Sequence, residues 1–204
     1  MNTGTHSLTE RHIRAMTFVD GENLCIQGER IAKENGLRLA DGKYYRKSTF
    51  LCFKEGGSVA LRWGFCNIHN LYPILGYHPN EVRGYYYTSY VGTHEQGEYI
   101  ASQLHSLGYE PKLFKKNRQR ERSKGVDISL ATDVLSHAFR DNFDIAVIVA
   151  GDGDYVPLVE EVKRCGKTVL LQFFACGLNP KLKLAADGFS DVTSTFLKTA
   201  PTEP

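Results

Sequence analysis

The chain has 204 residues, of which 42% are hydrophobic and 24% are charged, and its formal net charge is +2. These fractions are close to globular averages, so the composition excludes a wholly disordered chain and predicts one domain over residues 1–204. The longest purely apolar run, residues 145–150, is far shorter than the roughly 20 residues of a membrane-spanning helix. We therefore expect no membrane partner.

The cysteines and the first residues bear on the cellular compartment. The five cysteines are odd in number and form no CxxC pair, which indicates reduced thiols. Residues 1–14 form a short polar tail without the apolar stretch of a secretory signal. We therefore expect a cytoplasmic protein.

The charges are separated along the chain, although their sum is small. Residues 112–124 contain seven basic residues and one acidic residue, whereas residues 125–197 contain ten acidic and six basic residues. A basic run of this length commonly contacts nucleic acid or simply faces water.

The N-terminal half predicts short strands separated by helices. Residues 16–19 form an apolar strand that ends at Asp20, and a helix is expected from about Leu24. Residues 28–66 mix glycines, aromatic residues and a basic excess, and we interpret them as an insertion. We then expect a short helix at 67–76, a tyrosine-rich strand at 82–91, a helix at 95–107 closed by Gly108, and a strand at 109–114.

The C-terminal half has a clearer pattern. A helix with one apolar stripe is predicted by residues that recur every four positions, namely Val126, Leu130, Val134 and Ala138. Residues 144–150 and 168–174 are apolar runs typical of strands buried on both faces of a parallel sheet. A helix is expected between them, with Pro157 in its first turn and Gly166 at its end. This alternation predicts an α/β fold with a central, mainly parallel sheet covered on both sides.

Acidic residues follow two of the predicted strands and open one predicted helix. Asp20 ends the first strand, Asp152 and Asp154 follow the strand at 144–150, and Asp127 opens the helix after the basic run. Parallel sheets place their sites at the carboxyl ends of strands, so these side chains are expected to meet. Gathered carboxylates favour a hard cation such as Mg²⁺ or Mn²⁺. The glycines around Asp152 are expected to allow a tight turn and to leave room for a bulky ligand.

Each acid also has a purely structural interpretation. Asp154 is placed to cap the next helix, and Asp127 could interact with the dipole of its own helix. For one residue alone this interpretation is the more common one. Three such positions together favour a metal site.

Three motifs, in this order, resemble the NYN domain in the LabA-like branch of the PIN-like nuclease superfamily. They are VDGEN at 19–23, KGVD at 124–127 and GDGDYVPLVEEVKRCGK at 151–167, and residues 185–189 fit the end of the domain. The resemblance implies a three-layer α/β/α sandwich and a metal-dependent endoribonuclease that leaves 5′-phosphate and 3′-hydroxyl ends. It assigns the metal and the catalysis to Asp20, Asp127, Asp152 and Asp154. It also places Asn23 in the same pocket.

Single-stranded RNA is the expected partner. The basic run leads directly into the acid at 127, so its side chains would lie at the rim of the site and attract phosphates: Lys115, Lys116, Arg118, Arg120, Arg122 and Lys124. A solvated surface loop is the alternative for this run. Four tyrosines, at positions 85, 86, 87 and 90, could stack on bases, but ordinary strand aromatics are the favoured interpretation.

Other functions remain open or are excluded by missing motifs. A non-catalytic RNA-binding or regulatory module on the same fold is the main alternative, and a phosphatase of the haloacid dehalogenase type ranks last. The sequence has no P-loop, GxGxxG or GxSxG motif and no zinc-ligand spacing among its histidines and cysteines. Self-association through a sheet edge or the insertion stays open.

Overall fold

A computed structural model describes residues 13–36, 80–106, 108–116 and 125–199. The predicted helix at 67–76 and most of the predicted insertion lie outside these ranges. The basic residues Arg118, Arg120, Arg122 and Lys124 lie outside them as well.

Helices and strands alternate along the described chain. In order, they are β1 (Arg14–Asp20), α1 (Gly21–Glu34), β2 (Asn80–Val91), α2 (His94–Ser106), β3 (Tyr109–Lys116), α3 (Val126–Phe139), β4 (Ile145–Val149), α4 (Val156–Arg164), β5 (Thr168–Phe173), α5 (Pro180–Ala185), β6 (Gly188–Asp191) and α6 (Thr193–Thr199). Two 3₁₀ turns, Gly153–Tyr155 and Ala175–Gly177, precede α4 and α5.

The described strands form one sheet in the order β3-β2-β1-β4-β5-β6, and every neighbouring pair is parallel. The direction of winding reverses between β1 and β4, because β1 pairs with β2 on one side and with β4 on the other. In open parallel sheets, ligands bind beyond the carboxyl ends of the strands at such a reversal. The fold therefore directs attention to the ends of β1 and β4.

Helices cover both faces of the sheet. On one face α1, α2 and α6 pack on a core that includes Val19, Tyr86 and Val149. On the other face α3, α4 and α5 pack on alternate residues of the same strands, including Phe18 and Ile148. This architecture confirms the predicted three-layer α/β/α fold. Among the described helices, none combines the length and the apolar character needed to cross a bilayer.

Several predicted details hold, and others change for physical reasons. The buried positions of α3 are the four that recur in the sequence. Helix α1 begins at Gly21 rather than near Leu24, because the Asp20 side chain caps it. It then continues through Glu34, so the first residues of the predicted insertion are helical and belong to the sandwich.

The tyrosine-rich strand is part of the core. Tyr85, Tyr86 and Tyr87 are at most 5% exposed, and the partly buried Tyr90 packs against the core that contains Tyr86. The first three rings therefore pack within the protein, as the favoured interpretation of strand aromatics expects, and offer no open surface for bases.

Candidate functional site

The site begins at Asp20, the last residue of β1. Its side chain is only 4% exposed, and its Oδ1 accepts a hydrogen bond of 2.9 Å from the backbone N–H of Asn23. This bond satisfies one of the free N–H groups of the first turn of α1. Gly21 follows because the Tyr86 ring lies where a side-chain carbon would stand. The VDGEN motif thus turns a buried strand into a helix while holding a carboxylate at the turn.

A tyrosine hydroxyl joins Asp20 to Asp127. The Tyr155 hydroxyl lies 3.0 Å from Asp20 Oδ2 and 3.2 Å from Asp127 Oδ1. One hydroxyl has one proton, so Tyr155 donates to one carboxylate at a time. The sequence motifs assigned Tyr155 no role, because the three-residue 3₁₀ turn that positions it leaves no periodic pattern. The structure therefore brings together two of the four predicted acids, one from β1 and one from α3.

Burial dominates the electrostatics of this pair. The pKa of Asp20 is raised to about 6: burial is the largest cause, the nearby charges of Asp127 and Glu22 add to it, and the hydrogen bonds from Asn23 and Tyr155 oppose it. Burial also raises the pKa of the Tyr155 hydroxyl well above its ordinary value, and both carboxylates add to this shift. Tyr155 is therefore a protonated donor at neutral pH, and Asp20 carries a charge that the described protein does not fully compensate.

Asp127 reaches this position because of the residue two places before it. Gly125 precedes α3 with a φ of +107°, a conformation that residues with a side chain rarely adopt. Asp127 is exposed and lies in the first turn of α3, where a negative charge also favours the helix dipole. The structural interpretation of Asp127 and its place beside Asp20 are therefore compatible.

The other two acids lie at the same end of the sheet but have different neighbours. Asp152 Oδ1 accepts a hydrogen bond of 3.1 Å from the backbone N–H of Asp154 and caps the 3₁₀ turn. The expectation that Asp154 is the cap is wrong, because the chain forms this turn before α4 begins. Asp154 and Asp127 line one apolar groove of about 350 Å³, whereas Asp152 lines a neighbouring polar cleft of about 370 Å³.

The glycines beside Asp152 have a packing role. Gly153 begins the 3₁₀ turn, but neither Gly151 nor Gly153 adopts a positive φ, so the turn does not depend on a left-handed glycine. That they leave room for a bulky ligand stays a prediction. A side-chain carbon at Gly151 would collide with the Phe173 ring, and one at Gly153 would collide with the Asn179 amide. These glycines make room for neighbouring protein atoms and so let the segments after β4 and β5 approach closely.

Asn23 connects the two sides of the site. Its Oδ1 accepts a hydrogen bond of 2.9 Å from the backbone N–H of Gly151, which ties the first turn of α1 to the segment after β4. Its side chain lines the polar cleft together with Asp152. The structure thus places Asn23 between Asp20 and the cleft.

Lys116 differs from the expectation of a rim residue. It is only 7% exposed, and its Nζ lies 2.8 Å from Glu22 Oε1, while the Ser89 hydroxyl donates to Glu22 Oε2. Lys116 is therefore committed to a largely buried ion pair between β3 and α1, whereas Lys115 beside it is exposed. Glu22 is a further acid at the site that sequence reasoning did not assign, although it lies within VDGEN.

The Asp20–Asp127 pair fits a divalent cation that takes only some of its ligands from the protein. Within the described residues, no group of three or more His, Cys, Asp or Glu side chains is arranged to hold a metal ion. Mg²⁺, however, commonly binds one or two carboxylates and completes its shell with waters and substrate phosphate. The Asp20–Asp127 pair supplies oxygen ligands and an uncompensated negative charge, which is the chemistry that such an ion requires.

Comparisons with known proteins agree with this architecture. A family model described as the NYN domain matches residues 14–193. No protein with a curated description matches the chain. The fold is similar to the crystal structure of a protein of unknown function from Vibrio parahaemolyticus RIMD 2210633, with a TM-score of 0.58 and 18% identity over 90% of this chain and 95% of that one.

At that identity the crystal structure supports the fold alone, and the family model carries the assignment. NYN domains are PIN-like nucleases, which generally use divalent metal ions and bind RNA. The matched residues include all three motifs and most of the chain, so the chain belongs to the NYN domain family.

Proposed function

We propose that this protein is a metal-dependent ribonuclease that hydrolyses phosphodiester bonds of single-stranded RNA. The observation that carries the proposal is the Asp20–Tyr155–Asp127 arrangement at the reversal point of the sheet. A module that only bound RNA would gain nothing from a buried carboxylate facing phosphate. Membership of the LabA-like branch and a cytoplasmic location remain predictions from the motifs and the cysteines.

The chain's own residues have distinct roles in this mechanism. Asp20 and Asp127 would hold Mg²⁺ or Mn²⁺, with Asp152 and Asp154 as candidate outer ligands at the same end of the sheet. An ion held there would supply a water of lowered pKa and positive charge beside the phosphate. The Tyr155 hydroxyl orients the two inner carboxylates, and Asn23 fixes the backbone around Asp20. No side-chain nucleophile is needed.

The basic segment supports an RNA substrate through its two ends. It leaves β3 after Lys116, which is bonded to Glu22, and returns at Gly125, two residues before Asp127. Both ends therefore lie beside the carboxylates. We propose that Lys115 and the four basic residues that follow Lys116 contact RNA phosphates, namely Arg118, Arg120, Arg122 and Lys124.

Cleavage of labelled single-stranded RNA tests the function. We expect cleavage with Mg²⁺ or Mn²⁺, its loss with EDTA, and products with 5′-phosphate ends. Asp20→Asn and Asp127→Asn should each lower the rate by about 100-fold or more, equivalent to roughly 2.7 kcal/mol of transition-state stabilisation.

The matched control is Asp141→Asn. Asp141 is exposed, pairs with Lys167 at the opposite end of the sheet, and has a φ of 55°, which asparagine tolerates. This variant should cleave like the wild type. Cleavage that EDTA leaves unchanged would contradict the metal mechanism, and RNA binding without cleavage in any divalent ion would instead support the non-catalytic module.

A further inference from the structure

The polar cleft beside the carboxylates has the features of a second binding site. It has a volume of about 370 Å³, within the range of roughly 300–1,000 Å³ typical of small-ligand pockets. Helix α1 and the segments after β4 and β5 form its walls, and it therefore lies across the reversal point of the sheet. Its principal polar side chains are Asn23, Gln27, Asp152, Cys176 and Asn179.

The amide groups of the cleft have unused hydrogen-bonding capacity. The Oδ1 atoms of Asn23 and Asn179 accept hydrogen bonds from the backbone N–H groups of Gly151 and Lys181. The Nδ2 groups of these two cleft-lining side chains are therefore left as donors for a ligand. Gln27 Oε1 is buried and has no hydrogen-bond partner among the described residues. A buried acceptor without a donor is unfavourable, and a ligand that supplies the donor removes this deficit.

Packing holds two of these amides in place. Gly177 lies against the Gln27 side chain and Gly153 against the Asn179 amide, each so closely that a methyl group at the glycine would collide. Gln27 also follows Asn23 by one helical turn, so both amides lie on the same face of α1. The cleft is thus a formed surface. Gln27 lines it while its Oε1 is buried, so a turn of the Gln27 amide about its terminal bond presents this acceptor to a ligand.

The charge of the cleft restricts the ligand. Among the described lining residues, Asp152 is the one charged side chain. Without lysine or arginine the lining does not suit a phosphate, and one carboxylate makes a poor cation site. A neutral planar group with donors and acceptors along its edge suits three amides, and a nucleobase is such a group.

We infer that this cleft is a nucleobase subsite that reads the edge of the base next to the cleaved phosphate, with Gln27 as the specificity-determining residue. The identity of the ligand rests on the proposed ribonuclease function. Asn23 gives the necessary proximity, because its backbone bonds to Asp20 while its side chain lines the cleft. The nuclease then selects where it cuts by the base that satisfies Gln27 Oε1.

Binding without catalysis provides the first test. The ¹⁵N-labelled, metal-free protein is titrated with the four nucleoside 5′-monophosphates, and ribose 5-phosphate serves as a base-free control. We expect the backbone amide signals of Gly151, Gly153 and Gly177 to shift with at least one nucleotide and not with ribose 5-phosphate. Equal shifts with ribose 5-phosphate, or no shift with any nucleotide, would overturn the inference.

Two substitutions assign the effect to a residue. Gln27→Leu keeps the approximate shape and removes both hydrogen-bonding groups, so it should weaken binding of the preferred nucleotide by about tenfold, the worth of one or two hydrogen bonds. Gln103→Leu makes the same change on α2, outside the described cleft lining, and should bind like the wild type. Melting temperatures establish that both variants are folded. Unchanged binding by folded Gln27→Leu would contradict the assignment.

Cleavage of a randomised single-stranded RNA pool with Mn²⁺ separates this inference from the proposed function. The wild type should favour one base beside the cut, and Gln27→Leu should flatten that preference. The same base preference in both proteins would overturn the subsite and leave the ribonuclease intact. Nucleotide shifts at the cleft without any RNA cleavage would support the subsite and contradict the ribonuclease.

Discussion

At the scale of single residues, the most unfavourable group in the site is the buried carboxyl of Asp20. Folding removes it from water and places it near two other carboxylates, with two hydrogen bonds as partial compensation. Because burial disfavours the charged form, the metal-free protein at neutral pH loses stability at this position. Such local instability is expected where function, rather than folding, determines the residue.

Asp20→Asn should stabilise the metal-free protein at pH 7. Asparagine keeps the Oδ1 acceptor for the Asn23 N–H and removes the buried charge. The folded pKa of about 6 exceeds the ordinary value of 3.8, so the folded state binds the extra proton between these values. Stability from this group is therefore highest below pH 3.8 and falls as the pH rises through 6.

The gain should amount to at most about 3 kcal/mol, since each pKa unit corresponds to about 1.4 kcal/mol. Denaturant unfolding in EDTA at pH 4 and pH 7 measures it: the difference between variant and wild type should be largest at pH 7 and fall to a small fraction of that value at pH 4. Asp141→Asn serves as the control without this pH dependence. A variant less stable than wild type at pH 7 would mean that the charge of Asp20 supports the fold.

The sequence predicted that acids would meet where their place in the chain alone determines their position, as Asp20 and Asp127 do; their role as metal ligands stays a prediction. Asp20 and Asp127 could be expected at the site because an acid at the end of a parallel strand or at the start of a helix has few other places to lie. Tyr155 could not, because its role depends on a three-residue 3₁₀ turn that leaves no periodic pattern. Because of that turn, the capping residue is Asp152, which caps the 3₁₀ turn, rather than Asp154.

At the scale of elements, the Lys116–Glu22 ion pair joins the end of β3 to the first turn of α1. Its lysine is almost fully buried, and the Ser89 hydroxyl also donates to Glu22. A buried charge that loses its partner is costly, whereas loss of both charges together is much better tolerated. We therefore expect the ion pair to stabilise the contact between β3 and α1, and this effect on stability can be measured separately from RNA binding.

Lys116→Met should lower the free energy of unfolding by about 2–3 kcal/mol, because it removes one charge of a largely buried ion pair. The double variant Lys116→Met with Glu22→Gln should recover part of that loss. Lys115→Met is the matched control: this exposed neighbour should keep full stability while RNA binding weakens. Denaturant unfolding and RNA binding measure the two effects. Full stability in Lys116→Met would contradict the structural role of Lys116 and favour the expectation that it contacts RNA at the rim of the site.

The same scale shows which elements a sequence can predict. Helix α3 has four turns and one clean apolar stripe, and β4 and β5 are continuous apolar runs, so each carries a repeated signal. The region after β5 contains α5, β6 and α6, which have only four to seven residues each. Elements this short contain at most about two periods of a helix or strand pattern, so tertiary packing rather than sequence periodicity determines their structure.

At the scale of the whole molecule, the strand order brings the site together. The sequence predicted parallel strands, but it contains no direct signal that β1 lies between β2 and β4. That order places the end of β1 beside the end of β4, and α3, which follows the edge strand β3, begins at the same end. Residues far apart in sequence, such as Asp20, Asp127 and Tyr155, therefore converge.

This convergence predicts that a divalent ion stabilises the whole fold. An ion that binds only the folded state raises its stability by mass action, and it should do so here by neutralising carboxylates that repel one another in the metal-free protein. The melting temperature of the wild type should therefore rise with Mn²⁺ concentration. The increase should be nearly lost in Asp20→Asn and Asp127→Asn, whose carboxyls share the Tyr155 hydroxyl.

Smaller losses are expected for Asp152→Asn and Asp154→Asn, because these exposed acids do not share the Tyr155 hydroxyl that joins Asp20 to Asp127. Asp141→Asn, at the other end of the sheet, should keep the full increase. The ranking is specific to the geometry, since general screening of acidic charge by Mn²⁺ would affect all five variants alike. An equal Mn²⁺-induced increase in the wild type and in all five variants would mean that none of these acids binds the ion, and the metal-dependent mechanism would then fail.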